Sequence, residues 1–556
     1  MCSSARVRQM RATGFVVFAV TVTVLPAFVV AWNMGAMAPF WFLAGDAYLY
    51  LGIGQASHGA SMSFDGLRAT NGFHPLWQIW VRLATALSAG DPLRAMTTVS
   101  YAAIACTTAG VLVLGAAIRR ATGSWLLAML AVPGVYFLVI GQALHNLPVW
   151  AFFDGMEGGL AFLLSAVVLG LVATGAPAPA LGIALALLVL ARLDEVFVPA
   201  AMAVAVSLWP RQDPGAGPGR TKPRRWPEAA WLMVPTGLGV GLFALWSWAT
   251  TGMLVPVSGA AKGEGALLQN GWVTLATLFA PLIDLRQGLT PYVADRAGLA
   301  GGAFRVVELI VPALFALGFL AALWRRFRAA PWAPYLAGIA AGVLIKALYS
   351  LVSVNYWHQA SWYFAMATAL MTFGTALLLA PAAQRLNARG ARLAALALGG
   401  LSLLHASLWS AGLMTDPLRA QQRDFWLARD TIDASLHATA PDARVLEFGD
   451  GMLNFTLAVP VRHGFVFAGD AESLAALRAH RLLADAVADG FTLLSSYEYL
   501  RVPEGAEAWD SARIRAFLES SFLDSRVKDE LGDFDLAMAY VARPWGVPFI
   551  RLIPRR

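Results

Sequence analysis

The chain alternates long apolar runs with short polar breaks, and many runs have the length that a membrane span requires. Crossing about 30 Å of hydrocarbon at about 1.5 Å per residue takes about 20 predominantly apolar residues in a helix. Runs that meet or approach this lie at about 13–32, 94–118, 124–144, 157–174, 178–193, 195–209, 228–250, 303–324, 331–351, 362–381 and 392–412. They predict a mainly α, polytopic membrane protein of about 11 transmembrane helices. The runs on either side of Arg192-Leu193-Asp194-Glu195 are short and read as two helices meeting near one surface. The first run follows Arg6, Arg8 and Arg11 and precedes Ala36-Met37-Ala38, a passable signal-peptide cleavage site. Its length favours an uncleaved anchor.

Basic residues decide the orientation. Placing the N-terminus in the cytoplasm puts Arg119-Arg120, the stretch Arg211 to Arg225, Arg325-Arg326-Phe327-Arg328 and Arg385 to Arg392 on the cytoplasmic side. Every basic cluster between runs then lies inside, as the positive-inside rule requires. The regions left outside are about 34–93, 145–156, the tip near 193–195, 251–302, 352–361 and the tail. Within the first of these, Pro75–Leu87 carries Trp77 and Trp80 and reads as an interfacial helix rather than a span. The chain therefore divides into a transmembrane part, 1–412, and an extracytoplasmic α/β domain, 413–556. In the latter, β-type runs (443–448, 465–467, 491–495, 537–541, 549–553) alternate with helical ones (472–488, 508–519). Asp450-Gly451 reads as a turn after a strand; no helix opening on a Gly-x-Gly-x-x-Gly pattern follows it, so it is a weak phosphate loop.

Composition agrees. Of 556 residues, 58% are hydrophobic and 13% charged, too few charges to clothe several soluble domains. The net charge of +7 comes from 41 basic and 34 acidic residues, and lysine occurs only at 222, 262, 346 and 528. Clustering of the arginines between apolar runs speaks for topology rather than nucleic-acid binding. Cys2 and Cys106 suit neither a disulfide nor a metal site.

A few polar residues in or beside the apolar runs carry the candidate chemistry. Asp46 opens a helix-like stretch on the membrane surface and reads either as an N-cap or as a reactive carboxylate. Asp154 and Glu157, three residues apart at the mouth of a run, could share one helical face or form a solvated helix start. Asp194 and Glu195 between two apolar runs need a partner or a cavity, and Arg192 is at hand. Lys346 is the most isolated charge: it either faces a cavity or snorkels to the headgroups. Lys262 is a second cation that could meet a phosphate, or a plain loop lysine. His74, before a proline, supports ligand binding or merely a turn. His358, Trp362 and Tyr363 contact a sugar or phosphate, or form an interfacial aromatic belt.

The segments "TNGFHPLW" (Thr70–Trp77), "GMEGGL" (Gly155–Leu160), "PVSGAAK" (Pro256–Lys262), "ARLDE" (Ala191–Glu195) and "HQASWYF" (His358–Phe364) resemble those of membrane proteins of the glycosyltransferase-C superfamily. The likeness spans about 45–365. It implies transfer of a sugar from a polyprenyl-phosphate donor to a glycan, lipid or protein acceptor on the external face of a bacterial inner membrane. By that resemblance Asp46 and Glu157 would be catalytic. Asn71, His74, Asp154, Asp194, Ser258, Lys262, Lys346, His358, Trp362 and Tyr363 would bind substrate. Many members carry two adjacent acids in the first external loop; here Gly45 precedes Asp46, which argues against a two-carboxylate metal site. The resemblance fixes no cofactor and leaves a divalent cation open. The competing classes are a transporter or flippase of a lipid-linked solute, expected to show repeated halves and midplane acids, and a non-catalytic scaffold.

Overall fold

Six helices among the described residues are long and apolar enough to cross a membrane: Gln9–Met37, Pro92–Thr122, Trp226–Thr251, Ala333–Ser350, Ala365–Arg385 and Ala388–Met414. The computed structural model describes residues 2–136, 150–209, 226–261, 314, 317–328, 330–353, 361–439 and 441–555. Only 22% of the most apolar stretch of Trp226–Thr251 is buried against protein, and 28% of that in Ala388–Met414. Leu238, Leu242 and Leu396 stand more than 60% exposed. Apolar faces that large require lipid, not water, as their solvent.

Among the described residues, six long spans stand against the eleven expected. Gly158–Thr174, Ala178–Ala191 and Phe197–Leu208 are apolar helices of 17, 14 and 12 residues. At about 1.5 Å per residue the shortest falls well below a bilayer's hydrocarbon thickness. The run expected at 124–144 begins as two short helices, Trp125–Ala128 and Ala131–Tyr136, while most of 303–324 lies outside the described residues. The break at Arg192 is as expected: a 3-10 turn, Leu193–Val196, joins the two short helices.

Local chemistry sets several boundaries. Asp91 accepts from the N–H groups of Leu93 and Arg94 to start Pro92–Thr122, which ends on Gly123 at φ +76° after Arg119 and Arg120. Gly159 lies against that helix so closely that a Cβ there would stand 2.8 Å from the Ala103 carbonyl oxygen. Two short helices, Gly45–Ala56 and Pro75–Leu87, pack against each other beside this bundle. Gln78 ties them by donating to the Tyr50 carbonyl at 3.1 Å.

Beyond the helix Ala388–Met414, two further helices, Pro417–Leu427 and Arg429–Thr439, lead into a five-stranded sheet of order β2-β1-β3-β5-β4. The strands are β1 Val445–Glu447, β2 Val461–His463, β3 Leu493–Ser495, β4 Phe534–Ala542 and β5 Val547–Pro554. β2, β1 and β3 are parallel; β5 and β4 add antiparallel, with a register shift between Met538 and Tyr540. Two tail expectations need correcting. Phe465–Phe467 is not a strand: β2 precedes it, and Val466 turns the chain at φ +64°. The helical run 472–488 is broken into Ala471–Arg478 and Leu482–Ala488, with His480 at φ +51° between them. One continuous apolar core runs from the membrane helices through Phe425, Tyr497 and Phe549 into this α/β part.

Candidate functional site: two charge networks under a C-terminal cover

Asp46 lies in the first turn of Gly45–Ala56 but does not cap it. The N-cap is Ala44, which makes no side-chain cap hydrogen bond. The Ala44 N–H instead donates to the Asp154 carbonyl at 2.9 Å, bringing residues 154–157 under the start of that helix. Asp154 and Glu157 do not share a helical face, because both precede Gly158–Thr174. The chain turns at Gly155, φ +79°, and Asp154 Oδ1 accepts from the Met156 N–H at 3.0 Å. A Cβ at Gly155 would stand 2.2 Å from Leu43, so the "GMEGGL" glycine is required both by its backbone and by this approach.

Asp154 is completely buried, and its Oδ2 has no hydrogen-bond partner among the described residues. Burial first, then the neighbouring negative charges of Glu157 and Asp46, push this carboxyl well above the usual range, against the Met156 N–H and Arg419. Arg419, on Pro417–Leu427, is 4% exposed; it donates to the Leu43 carbonyl and to Gln422 Oε1 at 3.1 Å. It faces Asp154 and Tyr48.

The second network is anchored on Glu157. Its Oε1 is 2.5 Å from Arg192 Nη1, and its Oε2 accepts from the Tyr50 hydroxyl at 2.9 Å. His74, the N-cap of Pro75–Leu87, takes the Leu193 N–H on Nδ1 at 3.2 Å and sets Nε2 3.6 Å from Glu157 Oε1. Arg192 also reaches Asp194 at 3.0 Å and lies over the Tyr363 ring, 3.9 Å from its centroid. Lys346 neither snorkels nor stands alone. Its Nζ is 2.7 Å from Glu195 and 3.3 Å from Asp194, it donates to the Tyr363 carbonyl, and its side chain is 2% exposed.

The structure thus gathers His74, Glu157, Asp194, Lys346 and Tyr363, with Asp154 within electrostatic reach of both Glu157 and Asp46. Asn71 belongs to neither network. Its Nδ2 donates to Ser247 Oγ at 2.6 Å and to the Val255 carbonyl at 3.1 Å, and its Oδ1 accepts from the Val257 N–H at 2.8 Å. It therefore ties the first loop to the helix that carries Ser258, Val257–Ala261. Lys262 and His358 lie outside the described residues; Trp362 falls in the 3-10 turn Ser361–Phe364. Among the described residues, no group of three His, Cys, Asp or Glu side chains is placed to hold a metal ion.

Sequence reasoning missed Arg419 and the acids of the tail. Arg419, Gln422 and Phe425 are buried at a three-residue spacing, so polar and aromatic groups share one helix face. That mixture right after the last apolar run was the available signal.

No protein-family model matches the chain, and no curated protein sequence matches it. Among solved structures, ArnT from Cupriavidus metallidurans bound to undecaprenyl phosphate is similar at 14% identity, over 97% of this chain and 98% of that one, with a TM-score of 0.49. The Archaeoglobus fulgidus oligosaccharyltransferase tethered with an acceptor peptide is similar at 12% identity, over 97% of this chain and 74% of that one, with a TM-score of 0.45. These likenesses assign no role to any residue here.

Proposed function

We propose that the protein is a membrane glycosyltransferase that moves a sugar from a polyprenyl-phosphate donor to a glycan, lipid or protein acceptor on the external face of a bacterial inner membrane. The observation that carries this reading is the pair of acids beside the apolar bundle: Asp46, in the first turn of a short helix whose N-cap Ala44 donates to the Asp154 carbonyl, and the fully buried Asp154, whose Oδ2 lacks a partner among the described residues. A sugar hydroxyl is a poor nucleophile, and a carboxylate at the lipid–water boundary supplies the base it lacks. Asp46 takes the acceptor's proton as the hydroxyl oxygen bonds to the anomeric carbon. The bond from that carbon to the phosphate oxygen breaks, and the lipid phosphate leaves with the electron pair. The unpartnered Asp154 oxygen suits a hydroxyl donor from a substrate.

Glu157 is engaged by Arg192 and Tyr50. In this reading it positions the floor of the site rather than acting as a second base. Lys346, matched by Glu195 and Asp194, has the same standing. Loss of a general base costs about 10²–10⁴ in rate. Mass spectrometry of envelope glycans from cells lacking the protein, complemented with wild type or Asp46→Asn, tests this directly. The glycan present with wild type should vanish with Asp46→Asn while the protein stays folded in the membrane. A normal glycan profile with Asp46→Asn removes Asp46 from the chemistry.

A further inference from the structure

The segment after β1, Phe448-Gly449-Asp450-Gly451, crosses the first turns of the Gly45–Ala56 helix. A Cβ built on Gly45 would stand 2.1 Å from Asp450 Oδ2, so the tail's carboxyl fills the space a side chain at residue 45 would take, one residue from Asp46. Gly451, at φ +88°, seats the turn on Leu49: a Cβ there would lie 2.9 Å from the Leu49 nitrogen. The Asp450 N–H donates to Glu498 Oε2 at 3.2 Å, and Oδ1 accepts from the Tyr499 hydroxyl at 3.4 Å. These contacts fix the carboxyl from behind and aim it at the helix start.

We infer that Asp450 is a positioning residue for Asp46 and that the C-terminal half of the chain completes the candidate site. The inference rests on Asp46 being the base. Every packed element presents a titratable or charged group to Asp450: Asp46 from the short helix, Glu498 and Tyr499 from the segment after β3, Glu447 from β1, and Arg419 from Pro417–Leu427. One guanidinium faces several acids. Two carboxylates in such a space do not both ionise near neutrality, and the pair titrates as a unit. Burial, then the charges of Glu498 and Asp46, hold Asp450 well above the usual carboxylate range, so Asp450 keeps its proton near neutrality. An independent sign that a ligand belongs here is Asp154, completely buried, with one oxygen lacking a hydrogen-bond partner among the described residues. The bland alternative is that Asp450 is a charged cap on the helix from outside its own segment, since acids are favoured at helix starts.

Infrared difference spectroscopy on the full-length protein in nanodiscs separates the two. Wild type, Asp450→Asn, Asp46→Asn and Glu498→Gln are titrated from about pH 3 to about pH 10, a span that brackets ordinary and raised carboxyl values. The wild-type-minus-Asp450→Asn spectrum should show the C=O stretch of a protonated carboxyl that persists above neutrality. In Asp46→Asn that band should titrate lower by about 1–3 pH units, because a like charge has gone. Glu498→Gln should shift it the same way without touching either member of the pair, which guards against a misfolded Asp450 variant. A difference spectrum with only carboxylate bands at neutral pH, or an unmoved titration in Asp46→Asn, overturns the inference. Neither readout needs substrate. If the pair couples but Asp46→Asn cells keep their glycan, Asp46 is not the base and Asp450 has no base to position; if the glycan vanishes without coupling, only this inference fails.

Discussion

Lys346 shows how burial changes the meaning of a single charge. In the sequence it is a lone cation in an apolar run; in the structure it pairs with Glu195 and shares Asp194 with Arg192 at the junction of two short helices. Removing one partner of a buried pair leaves the other desolvated and uncompensated, at a cost of about 3–5 kcal/mol. Lys346→Met should therefore lower thermal stability strongly. Glu195→Gln added to it should recover much of the loss, since the stranded charge disappears. A double-mutant cycle read by thermal unfolding in detergent measures this. Equal melting temperatures for wild type and Lys346→Met would show that the pair contributes nothing. The sequence marked Lys346, Asp194 and Glu157 as unusual because intramembrane charges are rare. It could not show that they satisfy one another, since their pairing depends on contacts between residues 35 and 151 positions apart.

Among the elements, the Gly45–Ala56 helix is fixed by what lies on its face toward the tail. Gly45, Leu49 and Gly52 fall one above the other at helical spacing, and the segment 450–454 packs onto that strip. A Cβ at Gly52 would meet Asn454 Nδ2 at 2.5 Å, and that amide donates to the Phe64 carbonyl at 3.0 Å. A side-chain end can swing aside, whereas the backbone that Gly451 meets cannot. Gly451→Ala should accordingly be the costlier change, adding strain at φ +88° to a clash with Leu49. Overpacking alone costs about 1–3 kcal/mol. Thermal unfolding followed by hydrogen exchange at 45–56 should rank Gly451→Ala well below Gly52→Ala. If Gly451→Ala melts with wild type, the turn does not sit on Leu49 as closely as its geometry requires. The Pro75–Leu87 helix was legible from its apolar spacing and proline, whereas the start of Gly45–Ala56 was not, since Ala44 rather than Asp46 is its N-cap. The short β2, three residues long, was not legible either, because a fully buried strand lacks alternation, whereas β1 falls inside the run expected at 443–448.

At the scale of the whole molecule, the first loop and the tail hold one another by charge. Arg462 is 3.2 Å from Asp65 and 2.7 Å from Asp489, while Arg68 reaches Asp489 at 2.7 Å and Glu472 at 2.8 Å. The Phe467 carbonyl lies so near Gly72 that a Cβ there would stand 2.0 Å away. Contacts of this kind form only if both segments emerge on one side of the membrane. That constraint is independent of the basic-cluster argument, which rests on loop arginines alone. The two together yield a strict expectation for reporter fusions. Fusions at 215, 327 and 388 should read cytoplasmic, and those at 65, 275 and the C-terminus external. Reporters at 65 and the C-terminus reading on opposite sides would contradict the ion pairs themselves, whatever the orientation. Agreement of those two on the cytoplasmic side would keep the architecture but invert the membrane face on which the donor must be presented.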